Sequence, residues 1–181
     1  MEAVRVIKEN NQAHKTLELA FTVYEEGGLH GSKNFDMSYI QSNHAIVLDS
    51  GGPIGTIITS APGQQNLKVT ITGRPAHAGL APEEGINALT VAADAITNMT
   101  LSRIDEETTA NIGVVRGGQA TNIVMPELYI EGEARSLDDV KLAKQVEHME
   151  STFKAAADKH GAEIEIISTR AYNAYKISDD N

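Results

Sequence analysis

The segment LKVTITGRPAHAGLAPEEGINALTVAADAITNM, residues 67–99, joins two patterns of different period. Its first part, 67–73, alternates apolar and polar residues, which is typical of a β-strand with one buried face. Its last part, 82–99, spaces apolar residues by three or four positions, which predicts a helix. Pro82–Glu84 fits the first turn of that helix, because proline needs no N–H there and acids favour the positive end of the helix dipole.

Later segments repeat these two periods. ANIGVV (110–115), ELYIEGEARS (127–136) and AEIEII (162–167) are strand-like. A helix is predicted between the last two strands. Ser136 and Asp139 resemble a capping box at its start, and Gly161 is a natural stop at its end.

Residues 65–172 are thus predicted to have the order β-α-β-β-α-β, the ferredoxin-like arrangement. The first 60 residues form another unit, with a helix-like stripe at 3–9 and strand-like runs at 17–23 and 45–49. These elements are too few to close a parallel sheet covered on both faces. The predicted fold class is α/β: a ferredoxin-like domain and part of a parallel-sheet domain.

Acidic residues follow both strand-like runs of the first unit, at Glu25 and Glu26 and at Asp49. Parallel sheets usually place active sites at the carboxyl ends of their strands. Neighbouring strand residues point to opposite faces, so a division of roles fits the pair: Glu26 coordinates a cation and Glu25 takes a proton from the bound water. Gly27 and Gly28 would let the backbone turn tightly there. The competing interpretation is two solvated acids at a strand end.

Composition limits the class of protein. The chain has 181 residues, 41% apolar residues, no cysteine and a formal charge of -10. This charge, with no basic cluster to offset it, argues against nucleic-acid binding. No apolar run approaches the length of a membrane span. A soluble protein is therefore predicted, and the lack of cysteine fits a reducing cytoplasm.

Five motifs resemble those of one enzyme family, in the same order: TVYEEGGLHG (22–31), VLDSGG (47–52), GRPAHAGLAPEEGINAL (73–89), GGQATNIV (117–124) and EGEARSLD (131–138). The family is the cocatalytic zinc aminopeptidases and deacylases, which include peptidase T, carboxypeptidase G and acetylornithine deacetylase. The third motif is most similar to the peptidase T branch. The resemblance covers nearly the whole chain.

The resemblance implies roles for six residues. Glu25 would be the general base, Glu26 a ligand of one zinc ion and Asp49 a ligand of the other. His77 would reach the active site of a partner subunit and stabilise the oxyanion. Asn122 would contact substrate, and Arg135 would hold its C-terminal carboxylate. Without the resemblance, four of these residues have ordinary interpretations. Asp49 and Asn122 would lie in turns, His77 would lie in a loop, and Arg135 would form half of a surface ion pair.

The resemblance also implies a domain division. Residues 1–60 would be part of the catalytic domain, 61–175 a lid and dimerisation domain, and 176–181 the start of a return to the catalytic domain. The family needs an upstream His-x-Asp and a further downstream histidine as metal ligands, and no His-x-Asp occurs in this sequence. We therefore expect an internal fragment that is inactive by itself.

The predicted parent protein is a zinc-dependent exopeptidase that removes an N-terminal residue from short peptides such as tripeptides. It is expected to form a homodimer through the lid. Two alternatives remain at this point: an N-acyl amino acid deacylase of the same family, and a self-associating lid module without catalytic activity.

Overall fold

The structure, a computed structural model, describes residues 1–178 and divides into two units. The N-terminal unit is Met1–Ile54, and the C-terminal unit begins at Gly55. The predicted helix near residue 3 is confirmed. The helical elements of the N-terminal unit are α1 (Glu2–Glu9), α2 (His30–Lys33) and a 3-10 turn at Met37–Tyr39.

The strands predicted at 17–23 and 45–49 are wrong. Every residue of Met1–Ile54 is described, and none of them lies in a strand. The second run is also not buried, with exposed fractions of 84% or more at Ile46, Val47 and Leu48. A strand forms where another strand accepts its backbone hydrogen bonds, and neither run has such a partner within this unit. The parallel-sheet domain therefore stays a prediction.

The C-terminal unit carries the predicted order β-α-β-β-α-β, which is confirmed. Its long strands and helices are β2 (Gly63–Thr72), α3 (Ala88–Thr97), β4 (Thr108–Gly117), β5 (Glu127–Ser136), α4 (Asp139–His160) and β6 (Glu163–Tyr172). Three short strands accompany them: β1 (Ser60–Ala61), β3 (Ser102–Arg103) and β7 (Tyr175–Lys176). A predicted return to another domain at 176–181 lies partly outside the described residues.

The sheet of this unit is antiparallel, with strand order β3-β4-β5-β2-β6. The full length of β2 pairs with β5, from Gly63 opposite Ser136 to Thr72 opposite Glu127. Beside them, β1 pairs with β7 in a separate two-stranded ribbon. This register decides which loops meet at each end of the sheet.

The core lies between the sheet and helices α3 and α4. Alternate residues of β2 point into it, and Leu67, Val69 and Ile71 are at most 1% exposed. The helices contribute mainly small residues and a few large ones, including the fully buried Met149 and Phe153. The opposite face of the sheet is polar, so the unit has two layers.

Two predicted helix starts are wrong. Pro82–Glu84 is a separate 3-10 turn, and α3 begins only at Ala88, where Asn87 caps it. The backbone of Ile86 pairs with Arg74, so this stretch cannot be helical. At the start of α4, Asp138 is the N-cap, whereas the predicted capping box used Ser136. The predicted stop at Gly161 is confirmed by its left-handed backbone, with φ of 69°.

A carboxylate joins the turn before β4 to the first turn of α4. Asp105 accepts hydrogen bonds from the amides of Glu107, at 2.9 Å, and Thr108, at 2.8 Å, and forms an ion pair with Lys141 at 3.2 Å. The amide of Glu107 is the largest of the influences that lower the pKa of Asp105 from 3.8 to about 2. The ionised form is therefore favoured in the folded protein.

We expect this carboxylate to make stability depend on pH. A lowered folded pKa stabilises the protein fully above 3.8, and the contribution is lost as the pH falls towards about 2. Asp105→Asn should therefore lower the melting temperature most above pH 4, with the difference from wild type shrinking at lower pH. Melting followed by circular dichroism checks this, with Glu106→Gln, a neighbouring exposed acid, as control. A difference that does not change with pH would contradict the assignment.

Candidate functional site

The loop that carries His77 is anchored at both ends. Arg74 and Ile86 exchange backbone hydrogen bonds of 3.0 and 2.9 Å, which close the loop between β2 and α3. At its start, the amide of Gly73 donates to Pro126 O at 2.7 Å, and beyond its end Ala88 donates to Met125 O at 2.9 Å. The loop is thus held against the segment that precedes β5.

The structure brings His77 and Asn122 together. His77 forms an isolated β-bridge with Ile123, and the amide of Ala78 donates to Asn122 O at 2.9 Å. Both side chains are exposed. We define these two residues as the loop pair.

The imidazole of His77 has one nitrogen engaged. The amide of Gly79 donates to its Nδ1 at 3.2 Å. A neutral imidazole that accepts at Nδ1 carries its proton on Nε2, so Nε2 can donate to an oxygen atom of a ligand. A donor of this kind can stabilise a developing oxyanion.

Arg135 lies in β5, where its guanidinium pairs with Glu133. Nε donates to Oε1 at 2.8 Å and Nη2 to Oε2 at 2.9 Å. This carboxylate is the main influence that raises the pKa of Arg135, against the effect of desolvation. The Arg135 side chain is 41% exposed. The ion pair foreseen as the ordinary interpretation is therefore present, and the guanidinium stays accessible.

The loop pair and Arg135 lie at opposite ends of the sheet. The loop pair follows the end where Thr72 faces Glu127, whereas Arg135 faces Gln64 near the other end of β2. The eight residue-to-residue steps from Glu127 to Arg135 span roughly 26 Å of strand. One copy of the chain does not bring the two groups together.

The predicted acidic residues of the N-terminal unit lie on a tight turn and in an exposed segment. Glu25 O accepts from the amides of Gly28, at 3.0 Å, and Leu29, at 2.9 Å, and Gly28 has φ of 108°, which favours glycine. The side chains of Glu25, Glu26 and Asp49 are all exposed. The backbone thus turns at the two glycines as expected, while the roles of the three acids stay predictions.

These acids do not form a zinc site by themselves. Among residues 1–178, no three side chains of His, Asp or Glu are placed to share a metal ion. A pair of zinc ions needs a bridging ligand and several further ligands, so Glu26 and Asp49 alone do not fit it.

Sequence reasoning missed the residues that surround Arg135. Glu133 lies two positions before it on the same strand, and in a strand such residues share a face. That spacing was visible in EGEARS (131–136) and could have predicted the pair. The neighbours from β2 and β6, Gln64 and Tyr172, had no such signal, because only the sheet register places them there.

Two further histidines, both in α4, have structural contacts. His148 Nε2 accepts from the amide of Thr100 at 3.0 Å, and His160 Nε2 lies 2.8 Å from a carboxylate oxygen of Asp94. Both contacts tie α4 to α3 or to the segment that follows it.

Within residues 1–178, no helix has the length and apolarity of a membrane span.

Comparison with known proteins identifies similar chains. A family model described as peptidase dimerisation domain matches residues 59–161. An uncharacterized protein of Bacillus subtilis strain 168, YqjE, is 47% identical over 98% of this chain and 48% of its own length.

Two solved structures are similar over 99% of this chain and 48% of their own. One is the aminopeptidase PepT from Bacillus cereus ATCC 10987, with 44% identity and a TM-score of 0.85. The other is a tripeptidase from Staphylococcus aureus Mu50, with 38% identity and a TM-score of 0.92. The chain thus spans about half the length of these relatives.

Proposed function

Because the chain belongs to the peptidase family that this dimerisation domain defines, we propose that the whole protein hydrolyses short peptides. The resemblance carried by the five motifs is thereby confirmed. The proposed reaction is removal of the N-terminal residue from a tripeptide, and the relatives described as an aminopeptidase and a tripeptidase support this substrate class. The cytoplasm is the proposed location, favoured by the cysteine-free sequence. The 181-residue chain alone is expected to be inactive.

The separation between the loop pair and Arg135 supports a homodimer as part of this proposal. A tripeptide extends over at most about 10 Å, far less than the roughly 26 Å along β5. One copy of the chain therefore cannot hold the same short peptide at both groups. A homodimer formed through the C-terminal unit would bring the loop pair of one copy to the Arg135 of the other, and the family's description as a dimerisation domain supports such a dimer.

The proposed roles are those that the family resemblance implies, and the chemistry of each side chain suits its role. Arg135 binds the C-terminal carboxylate of the peptide, for which a guanidinium offers two parallel donors. His77 donates from Nε2 to the oxyanion, and Asn122 contacts the peptide beside it. Glu25 accepts a proton from the attacking water.

Zinc is the proposed cofactor of the whole protein. Glu26 and Asp49 are proposed as two of its ligands. Residues 1–178 do not complete the ligand set, so the proposal requires ligands from elsewhere in the whole protein.

Glu25→Gln in the whole protein tests the reaction. We expect kcat for a tripeptide to fall by about 100-fold or more, because a positioned general base contributes 10²–10⁴-fold. Zinc content, measured by elemental analysis, should stay nearly unchanged, since Glu25 is not a proposed ligand. Glu83→Gln, at an exposed acid of the 3-10 turn, is the control. Unchanged turnover in Glu25→Gln would contradict the assignment.

N-acyl amino acids are the alternative substrates, because Arg135 would hold their carboxylate equally well. Side-by-side assays of tripeptides and acylated amino acids on the whole protein distinguish the two classes. Turnover of acylated amino acids alone would replace the peptidase proposal with a deacylase. Absence of both activities, with self-association seen in sedimentation, would favour the non-catalytic lid module.

A further inference from the structure

The guanidinium of Arg135 has two edges that can each bind a carboxylate. The edge formed by Nε and Nη2 is occupied by both oxygens of Glu133, at 2.8 and 2.9 Å. An arginine has five N–H donors. Glu133 uses two of them, which leaves three, including those on the edge formed by Nη1 and Nη2.

Glu133 is itself held in place across the sheet. Gln64 Nε2 donates to Glu133 Oε2 at 2.8 Å and also to Asn66 Oδ1 at 2.7 Å. The other end of the Gln64 amide accepts a hydrogen bond from the hydroxyl of Tyr172. The carboxylate of Glu133 is thus fixed by a chain of contacts through β5, β2 and β6.

The free edge of Arg135 is accessible to a ligand. Its side chain is 41% exposed, and that of Glu133 is 32% exposed. A flexible arginine loses rotamer freedom when it binds, and this loss is smaller when a neighbour already holds it. Glu133 therefore both restricts the guanidinium and leaves one bidentate edge open.

We propose that Glu133 is a positioning residue, which occupies the Nε–Nη2 edge of Arg135 so that the Nη1–Nη2 edge receives the substrate carboxylate. This inference rests on the proposed role of Arg135 as the carboxylate-binding residue. It assigns Glu133 no contact with substrate. Affinity alone does not test it, because removal of a negative charge by itself strengthens attraction for any carboxylate.

Nuclear magnetic resonance of the arginine side chains tests the inference on this chain. The sequence has six arginines, so Arg135→Lys identifies the Arg135 signals by their loss. The probes are triglycine and triglycinamide, which differ at the C-terminal carboxylate. In the wild type we expect triglycine to shift the Nη signals of Arg135, with a several-fold smaller shift at Nε–H. Triglycinamide should shift neither.

Glu133→Ala should free the Nε–Nη2 edge of Arg135. We expect the Nε–H signal of Arg135 to move even without ligand, and then to respond to triglycine as strongly as the Nη signals do. Glu131→Ala removes the same charge from the same face of β5 and should behave as wild type. Backbone amide spectra confirm that each variant is folded.

Two results would overturn the positioning role alone: an Nε–H signal that responds to triglycine in the wild type as strongly as Nη, or a Glu133→Ala variant with unchanged behaviour at Nε–H. A different result would overturn the role of Arg135 itself, and the inference with it. That result is a wild type whose Arg135 signals do not distinguish triglycine from triglycinamide. The wild-type titration needs only the signal assignment from Arg135→Lys, so a Glu133→Ala variant that fails to fold leaves the inference testable.

Discussion

Phe153→Ala is expected to lower the free energy of unfolding of the C-terminal unit by about 3–5 kcal/mol, the usual cost of emptying a buried phenylalanine site. Phe153 is fully buried on α4 and is the largest of the fully buried side chains described. The chain has three phenylalanines and no tryptophan, so few large side chains are available to fill its core. Against a typical stability of about 5–15 kcal/mol, this loss is severe.

Urea unfolding followed by the helical circular dichroism signal measures this loss. Val140→Ala is the matched control, because Val140 lies on the same helix and is 63% exposed. Val140→Ala should lower the free energy of unfolding by less than about 1 kcal/mol, as for other surface substitutions. A similar small cost for Phe153→Ala would show that α4 does not pack on the sheet through this residue.

Gly73→Ala is expected to destabilise the C-terminal unit by about 2–3 kcal/mol and to release the His77 loop, since overpacked sites cost about this much. A Cβ at this position would lie 2.1 Å from Ile86 O, which accepts the hydrogen bond from Arg74. Because the obstructing atom belongs to the backbone, it cannot move aside without breaking the Arg74–Ile86 bridge. The contact between His77 and the segment before β5 depends on that closure.

Gly79→Ala is the control for this change. It lies in the same loop, and a Cβ there would meet only the ring of His77, at 3.6 Å or more, an ordinary contact. We expect its stability and the amide signals of residues 76–78 to resemble those of wild type. Gly73→Ala should shift these signals strongly, and unchanged signals in it would contradict the anchoring of the loop.

The elements of the C-terminal unit were predictable because their patterns are local. The alternation in Leu67–Gly73 gives an apolar face only in a strand, and strands on both sides are present to pair with it. Helix starts were less predictable. Pro82–Glu84 has the residues of a helical first turn, yet Ile86 pairs with Arg74, a contact between positions twelve residues apart.

The N-terminal unit shows the limit of the same reasoning. The alternation in residues 17–23 predicts which face of a strand would be apolar, but a strand also needs a neighbouring strand to pair with. No segment of Met1–Ile54 pairs with it, and Phe21 is 72% exposed there. The period of a sequence predicts a strand only where the rest of the fold provides a neighbour.

The site residues were predictable in kind but not in arrangement. The motifs singled out His77, Asn122 and Arg135 because each matched a family pattern. Their spacing along the chain did not indicate that the first two meet through a backbone hydrogen bond. It also did not indicate that Arg135 lies at the far end of the same sheet.

By itself, the sequence determined the order and type of the six long elements from Gly63 to Tyr172 and the family to which the chain belongs. Periods of two and of three to four residues, and short motifs, are properties of neighbouring residues. Only the tertiary structure decided the closure of the His77 loop, the contact of Glu133 with Gln64 and the distance between the loop pair and Arg135. These depend on strand register, which is set by the packing of residues far apart in the chain.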